Sequence, residues 1–249
     1  MAERTRRRSI PGEIEGALDR RFTLLAGHHE PVEVDPPFVL ARDFLERVEF
    51  FSSFPRRAVR AGREGSFLPP ATCYRLFQSL MGSGRDSSLV ASLAGPCFRR
   101  EPRYDRGRRH AFTMRELVAV SNEDDVAAVR DDLADASLRL ARSLGLNVEL
   151  EEAEDPFFAE PGRAKRLLQR LLRLKVELVA AIGGERLAIA SFNLHQDFFG
   201  TRLDITVGGA PAWSGCGAWG IERWQLALEE RWGPEPGRWP EQVAGELSL

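Results

Sequence analysis

The residues best suited to chemistry fall in two short and widely separated segments. One runs Cys97-Phe98-Arg99-Arg100-Glu101 and closes at Phe112 and Glu116; the other is Gly215-Cys216-Gly217-Ala218-Trp219-Gly220-Ile221-Glu222-Arg223. Successive side chains of a strand alternate between its two faces, so Arg99 and Glu101 share a face, as do Phe112, Met114 and Glu116 on a returning strand. Such a hairpin presents a guanidinium, two carboxylates and an aromatic ring to one pocket. A forked guanidinium holds together two anions that would otherwise repel, and a ring offers a stacking surface to a planar heterocycle. Arg223 begins a helix after what reads as a Gly-rich turn, where backbone N–H groups and the helix dipole add positive potential. Each feature alone has an ordinary reading: Arg-x-Glu as a surface ion pair, the glycines as a turn, and the Arg108-Arg109 pair as solvated charge.

The chain that must position these residues has 249 residues, 43% of them hydrophobic, enough to bury the core of one large domain. Its net charge of −2 offers no global basic field to a nucleic acid. Nearly all of the 35 basic residues are Arg, only Lys165 and Lys175 being lysines, which favours fixed forked anion contacts. Cys73, Cys97 and Cys216 form no C-x-x-C pair, and an odd count argues against a disulfide framework. Spacing alone makes them core filler, reduced in a cytoplasm. The basic start is followed by Glu13, Glu15 and Asp19 instead of an apolar run, and no stretch approaches the length of a membrane span. A soluble, unprocessed, cytoplasmic protein with no membrane partner is expected.

Residues 1–31 read as a polar, Arg-rich arm whose amphipathic stretch, Ile14 to Leu25, is a frayed terminus. Residues 32–249 form the main domain with a short Pro-, Gly- and Glu-rich tail. A proline-led helix is expected over 38–51, and Cys73 sits at the mouth of a short helix. Strands over 97–103 and 112–120 are joined by the charged loop 104–110. Ser121 with Asp124 forms a capping box for a helix ending near Leu144, with Gly145 as C-cap. Its exposed Asp125, Asp131, Asp132 and Asp135 make a solvated face. A further helix is expected over 161–172, then antiparallel strands over 176–182, 187–194 and 202–207 with turns at Gly183-Gly184 and Gly200, then a helix over 221–231. The fold class is α+β, a mainly antiparallel sheet flanked by helices.

In their order, Phe-Arg-x-Glu, a loop, Phe-x-x-x-Glu and a distal Gly-Ile-Glu-Arg resemble the second and third signature motifs of the class II aminoacyl-tRNA synthetases. The stretch Phe50-Phe51-Ser52-Ser53-Phe54-Pro55 loosely resembles the first, which builds a dimer interface in that family. Asp155-Pro156-Phe157-Phe158, Leu174-Lys175-Val176-Glu177-Leu178 and the run from Ala190 to Gly200 are similar to the amino acid:[carrier protein] ligases. Those are relatives of the atypical zinc-dependent seryl-tRNA synthetases that have lost the tRNA-binding domain and load small amino acids onto the phosphopantetheine arm of a carrier protein. The likeness covers residues 32–232.

The resemblance implies a homodimer with a class II synthetase-like catalytic domain that uses ATP with Mg2+, a small amino acid and a phosphopantetheinylated carrier protein. No tRNA is expected, because a short N-terminal arm cannot supply a tRNA-holding module. It implies a zinc ion held by Cys73, Glu116 and Cys216, with the substrate amine at the open fourth position; three protein ligands and a vacancy mark a working zinc. It further implies Arg99 at the α-phosphate, Glu101 at the adenine amino group, Arg108 and Arg109 at the outer phosphates, Phe112 stacked on adenine, Lys175 as a further ATP contact and Arg223 at the γ-phosphate. Leu187, Ala188, Ile189 and Ala190 would pass ATP by backbone groups, with Ser191, Asn193 and Glu116 at the amino acid. Leu187 stands where seryl-type enzymes often place a magnesium-binding acid. Trp213-Ser214-Gly215 departs from the His and Thr common before the second zinc cysteine, and Ala159-Glu160 from the usual Gly. Glycine or alanine is therefore not implied as substrate, and a catalytically silent paralogue acting as an amino-acid-binding subunit is the alternative. His195 and His110 are metal candidates by type alone and are left out. Carrier docking falls to the Arg-rich residues 163–173.

Overall fold

The computed structural model describes residues 12–25, 27–54, 56–62, 64–153 and 173–249. The helix expected over 161–172, the Asp155 to Phe158 element and nearly all of the docking stretch 163–173 lie outside them. In chain order the first half runs α1 (Glu13–Leu25), β1 (Val32–Glu33), β2 (Leu40–Ala41), α2 (Arg42–Arg47), α3 (Phe50–Ser53), β3 (Val59–Arg60), β4 (Ser66–Leu68), α4 (Cys73–Leu80), β5 (Gly84–Arg85), β6 (Leu89–Phe98) and β7 (Ala111–Ser121). The second half runs α5 (Glu123–Ser143), β8 (Val148–Glu152), β9 (Lys175–Ile182), β10 (Glu185–Gln196), α6 (Phe198–Leu203), β11 (Thr206–Val207), β12 (Ala210–Pro211), β13 (Trp213–Gly220), α7 (Ile221–Trp232) and α8 (Glu241–Leu247).

Seven strands form one sheet in the order β1-β6-β7-β13-β10-β9-β8. Every neighbouring pair is antiparallel except β1 with β6. The mainly antiparallel α+β architecture is thus the observed one. Both faces are covered. On one, α1, α5, α7 and α8 bury a core that includes Leu117, Leu133, Phe192, Trp219 and Trp224; on the other, α4, α6 and the short strands pack Phe77, Leu93, Val118 and Phe199. Double coverage explains why β7 is buried at nearly every position instead of alternating.

The glycines of 215–220 do not make a turn. They belong to β13, and at Gly215 and Gly217 the helix α5 lies too close for a side chain: a Cβ at Gly217 would meet Leu133 Cδ1 at 3.0 Å, and one at Gly215 would meet Val126 Cγ1 at 2.8 Å. The pairing is fixed by Trp219, fully buried, whose Nε1 donates to Ser137 Oγ across the same contact at 2.9 Å.

The N-terminal stretch expected to fray is a packed helix. Ile14, Ala17, Leu18 and Phe22 are buried, and Phe22 stacks on Trp219 at 5.3 Å and meets Trp224 edge-on at 4.9 Å. A polar network ties α1 to the sheet. Arg115 donates to both Asp19 oxygens at 2.7 and 2.8 Å, to Glu33 Oε1 at 2.6 Å and to Ser92 Oγ at 2.8 Å. Four apolar positions in helical spacing carried this packing, and the polar residues around them masked it.

Other boundaries moved for local reasons. Asn122, not Ser121, caps α5, its Oδ1 accepting from Asp125 N at 3.0 Å. The helix expected over 38–51 breaks into α2 and α3 at Glu49, which takes a left-handed φ of 52°. Residues 198–203 are α6, so β10 takes β13 as its second neighbour in place of a strand over 202–207. Gly200 supplies close approach instead of a turn: a Cβ there would lie 2.2 Å from Ala212 O.

Candidate functional site

A cavity of about 520 Å³ opens on the sheet face covered by α4 and α6. Every predicted site residue lines it, from Cys73 through Arg99, Glu101, Arg108, Arg109, Phe112 and Glu116 to Lys175, residues 187–191, Asn193, Cys216 and Arg223. The strand period explains part of this. Phe112, Met114 and Glu116 alternate out of β7, and Ser191, Asn193 and His195 out of β10, all toward the same side. It does not explain Arg99 and Glu101, because β6 ends at Phe98. Those two enter the cavity from the loop, whose neck closes where Arg99 N donates to His110 O at 3.1 Å.

One end of the cavity is cationic. Arg99 stacks its guanidinium 5.0 Å from the Phe112 ring centroid and donates Nε to Pro70 O at 2.7 Å. Arg223, on the first turn of α7, donates Nε to Gly107 O at 2.8 Å and Nη1 to Ala188 O at 2.7 Å, so it joins the loop to β10. The Ala188 carbonyl is therefore engaged in this state. Burial, and then the positive charges of Arg99 and Arg108, hold Arg223 below the usual guanidinium range. Arg108 itself is bridged to Asp105 at 3.0 Å and Glu185 at 2.9 Å, and Arg109 is exposed at the rim. Glu101 pairs with Arg57 at 3.2 Å, and Lys175 with Glu177 at 3.0 Å. Leu187 packs so tightly on the loop that a Cβ at Gly107 would lie 2.4 Å from it, which is why that position is glycine.

The other end holds two thiols and a carboxyl. Register places them. Asn193 faces Cys216 directly, Glu116 faces Ala218 one pleat along, and α4 lowers Cys73 onto the same patch from its first turn. All three donors are buried. Thr72 N donates to Glu116 Oε1 at 2.7 Å, while Oε2 is buried without a hydrogen bond of proper geometry. A hydrogen bond from the Cys73 thiol favours the thiolate of Cys216, holding it well below the ordinary thiol range, with help from His195 and Asn193; the same bond, with burial, pushes Cys73 up. Burial and then the Cys216 charge raise Glu116 to about 7. Asn193 Nδ2 donates to Cys216 Sγ at 3.3 Å, and His195 Nε2 stands 3.6 Å from that sulfur, its Nδ1 3.2 Å from Ser214 Oγ.

Two buried cysteine sulfurs beside a buried carboxyl, one oxygen of which makes no hydrogen bond, are a donor set that suits a divalent borderline metal. The residues fit a zinc ion chemically. The three donors do not all lie within 4.8 Å of one another, so closing on an ion requires a side-chain rotation. Cys97, far above the ordinary thiol range by burial, faces the α4 core and stays structural. His195, a metal candidate by residue type that the sequence reading leaves out, lines the cavity; its two-residue spacing from Ser191 and Asn193 is the signal that places it there. Glu177 and Glu222 also line it, Glu222 accepting from Thr113 N with both oxygens at 2.8 and 2.9 Å.

No known protein-family profile matches the chain. Among curated proteins it is 35% identical over 187 residues to amino acid–[acyl-carrier-protein] ligase 1 of Bradyrhizobium diazoefficiens, covering 73% of this chain and 57% of that protein. Ligase 2 of the same organism is 36% identical over 187 residues, with 73% and 56% covered. The chain thus spans little more than half the length of these relatives. Among solved structures, the seryl-tRNA synthetase of Methanopyrus kandleri, in complex with A. aeolicus tRNASec, superposes with a TM-score of 0.78 at 18% identity, covering 99% of this chain and 57% of that one. The fold is that of a class II synthetase catalytic body, and the resemblance read from the motifs holds along most of the chain.

Proposed function

We propose that this chain, built on the class II synthetase fold, uses ATP to activate a small amino acid as its aminoacyl adenylate and passes the acyl group to the phosphopantetheine thiol of a carrier protein. The observation that carries the reading is three guanidiniums, Arg99, Arg108 and Arg223, gathered at one end of a cavity whose other end holds two thiols and a carboxyl. Cations that repel one another across a cavity are a site for polyanions, and the likeness to two carrier-protein ligases supplies the substrate class.

In the first step a carboxylate oxygen of the amino acid bonds to the α-phosphorus of ATP, and the bond from that phosphorus to the β-bridging oxygen breaks, releasing pyrophosphate. No proton moves, so no general base is needed. Arg99 bridges carboxylate and α-phosphate, Arg223 and the loop arginines bind the leaving phosphates, and the Phe112 ring carries adenine with Glu101 at its amino group. In the second step the carrier thiolate attacks the acyl carbon and AMP leaves, forming a thioester. Cys73, Glu116 and Cys216 would hold zinc, which when bound supplies a Lewis-acid position for a neutral substrate amine. Magnesium arrives with ATP; with Leu187 where an acid is common, Glu177 and Glu222 are the carboxylates this cavity offers it. Asn193 and Ser191 shape the amino-acid end, whereas Trp213 packs against the core on the other face of the sheet and does not line the cavity.

The same reading includes a homodimer, supported by the likeness of residues 50–55 to the first class II signature, and a cytoplasmic setting, supported by three free cysteines. No helix among the described residues is long and apolar enough to cross a membrane. The test is ATP/pyrophosphate exchange over an amino-acid panel, with a mass shift on a phosphopantetheinylated carrier protein. Exchange for one small amino acid with carrier loading is expected. Exchange without loading of any carrier removes the ligase reading, and no exchange with any amino acid leaves a binding-only subunit.

A further inference from the structure

On the opposite face of the sheet, the turn that follows α1 brings two adjacent histidines against the acidic side of α5. His28 Nε2 and His29 Nε2 each stand 3.3 Å from the same oxygen, Asp132 Oδ2, and all three ligand atoms lie within 4.8 Å of one another. Among the described residues this is the group of three His, Cys, Asp or Glu side chains whose donors come that close. We propose that His28, His29 and Asp132 form a surface site for a borderline divalent cation, Zn2+ first, separate from the cavity.

The spacing is that of a coordination shell. Ligands about 2.05 Å from a tetrahedral zinc stand about 3.3 Å apart, and both His–Asp separations have this value before any metal is present. The hydrogen-bonding is incomplete without one. Only the His28 contact has hydrogen-bond geometry, while His29 Nε2 is buried 3.3 Å from the same carboxylate oxygen and makes no hydrogen bond. Imidazole and carboxylate donors suit Zn2+, Cu2+, Ni2+ and Co2+, and Mg2+ and Ca2+ poorly. Asp135 on the same helix adds negative potential around it, while Asp131 is paired with Arg130 at 3.1 Å. A bound ion would staple the exit of α1 to α5, fixing the helix that carries Phe22 and Asp19.

The test titrates the full-length chain, stripped with chelator, with Zn2+ and with Co2+, beside Cys216→Ser and beside His28→Asn/His29→Asn and Asp132→Asn. Expected is one equivalent that survives Cys216→Ser and is lost in both surface variants, with a rise in Tm of about 5–10 °C at a hundredfold excess over Kd. Cobalt bound there shows ligand-field bands without the thiolate charge-transfer band that a cysteine site would give. Unchanged urea midpoints in chelator certify that the variants fold. Zn2+ uptake identical in the wild-type and surface variants, or no equivalent surviving Cys216→Ser, overturns the proposal. Neither result bears on exchange activity, which tests the cavity separately.

Discussion

Replacing Arg223 with Ala should damage stability and chemistry by separable amounts. In the folded chain this side chain donates to Gly107 O and Ala188 O, joining the cationic loop to β10. Truncation leaves two carbonyls in a largely buried place without their donor, at about 1–3 kcal/mol each. It also relieves repulsion from Arg99 and Arg108, which opposes that loss. The net cost should fall near the lower end, about 2–3 kcal/mol, and lower Tm by about 5–10 °C for a chain of this size. If Arg223 also neutralises the leaving phosphates, exchange by the folded fraction should fall by about 10²–10³. Arg223→Lys separates the two roles: a point charge restores part of the exchange rate, but one ammonium on a flexible stem cannot reproduce the fork that spans both carbonyls, so stability recovers less. Urea unfolding and pyrophosphate exchange on the same preparations measure both. An Ala variant that exchanges within tenfold of wild type removes Arg223 from phosphate binding, and one with an unchanged urea midpoint refutes the account of the two carbonyls.

Phe22→Ala should cost about 3–5 kcal/mol, because a fully buried ring packed on two tryptophans leaves a cavity that the sheet cannot close; Leu24→Ala, 66% exposed on the same helix, should stay within about 0.5 kcal/mol. Equal urea midpoints for the two would return α1 to the status of a loose arm. Zinc in the cavity should fall by about one equivalent per chain in Cys216→Ser and in Glu116→Gln, with amino-acid-dependent exchange lost alongside it. Retention of that equivalent in both variants would remove the metal role of the thiol end.

What the sequence disclosed and what it hid divide along the range of the interaction. Alternation along β7 placed Phe112, Met114 and Glu116 together without knowledge of any neighbour, whereas Cys73, Cys216, Lys175 and residues 187–193 were legible only through the likeness to the family's motifs, their own spacing reading as core filler or plain strand. The order of the two segments then set which strands had to meet. Contacts made across the fold left no local mark. Gly217 is glycine because Leu133 lies against it from another element, and a reading of nearby residues turns that into a bend. Arg99 and Glu101 reach the cavity from a loop closed by one backbone bond to His110, which period-two logic cannot foresee. The packing of α1 was visible as helical spacing, yet its partners Trp219 and Trp224 lie about two hundred residues further along the chain.

The two ends of the cavity share one platform, and this constrains how it can change. Glu116 and Cys216 stand on β7 and β13, central and adjacent strands in strict register, while Cys73 comes from the first turn of a packed helix. The thiol end is therefore held by elements that cannot slip by one residue without turning every buried side chain to the wrong face. Arg99, Arg108 and Arg109 instead ride on a loop anchored through Gly107 by Arg223 and Leu187, while Arg108 itself is held by solvent-exposed pairs to Asp105 and Glu185 that contribute little. Arriving phosphates can take Arg108 from its carboxylates at small cost, whereas Arg223 stays anchored. Under the proposed function, the thiol end would thus be held on fixed strands, with a small side-chain rotation to close on an ion, and adjustment to the phosphates would fall to Arg108 and its neighbours on the loop.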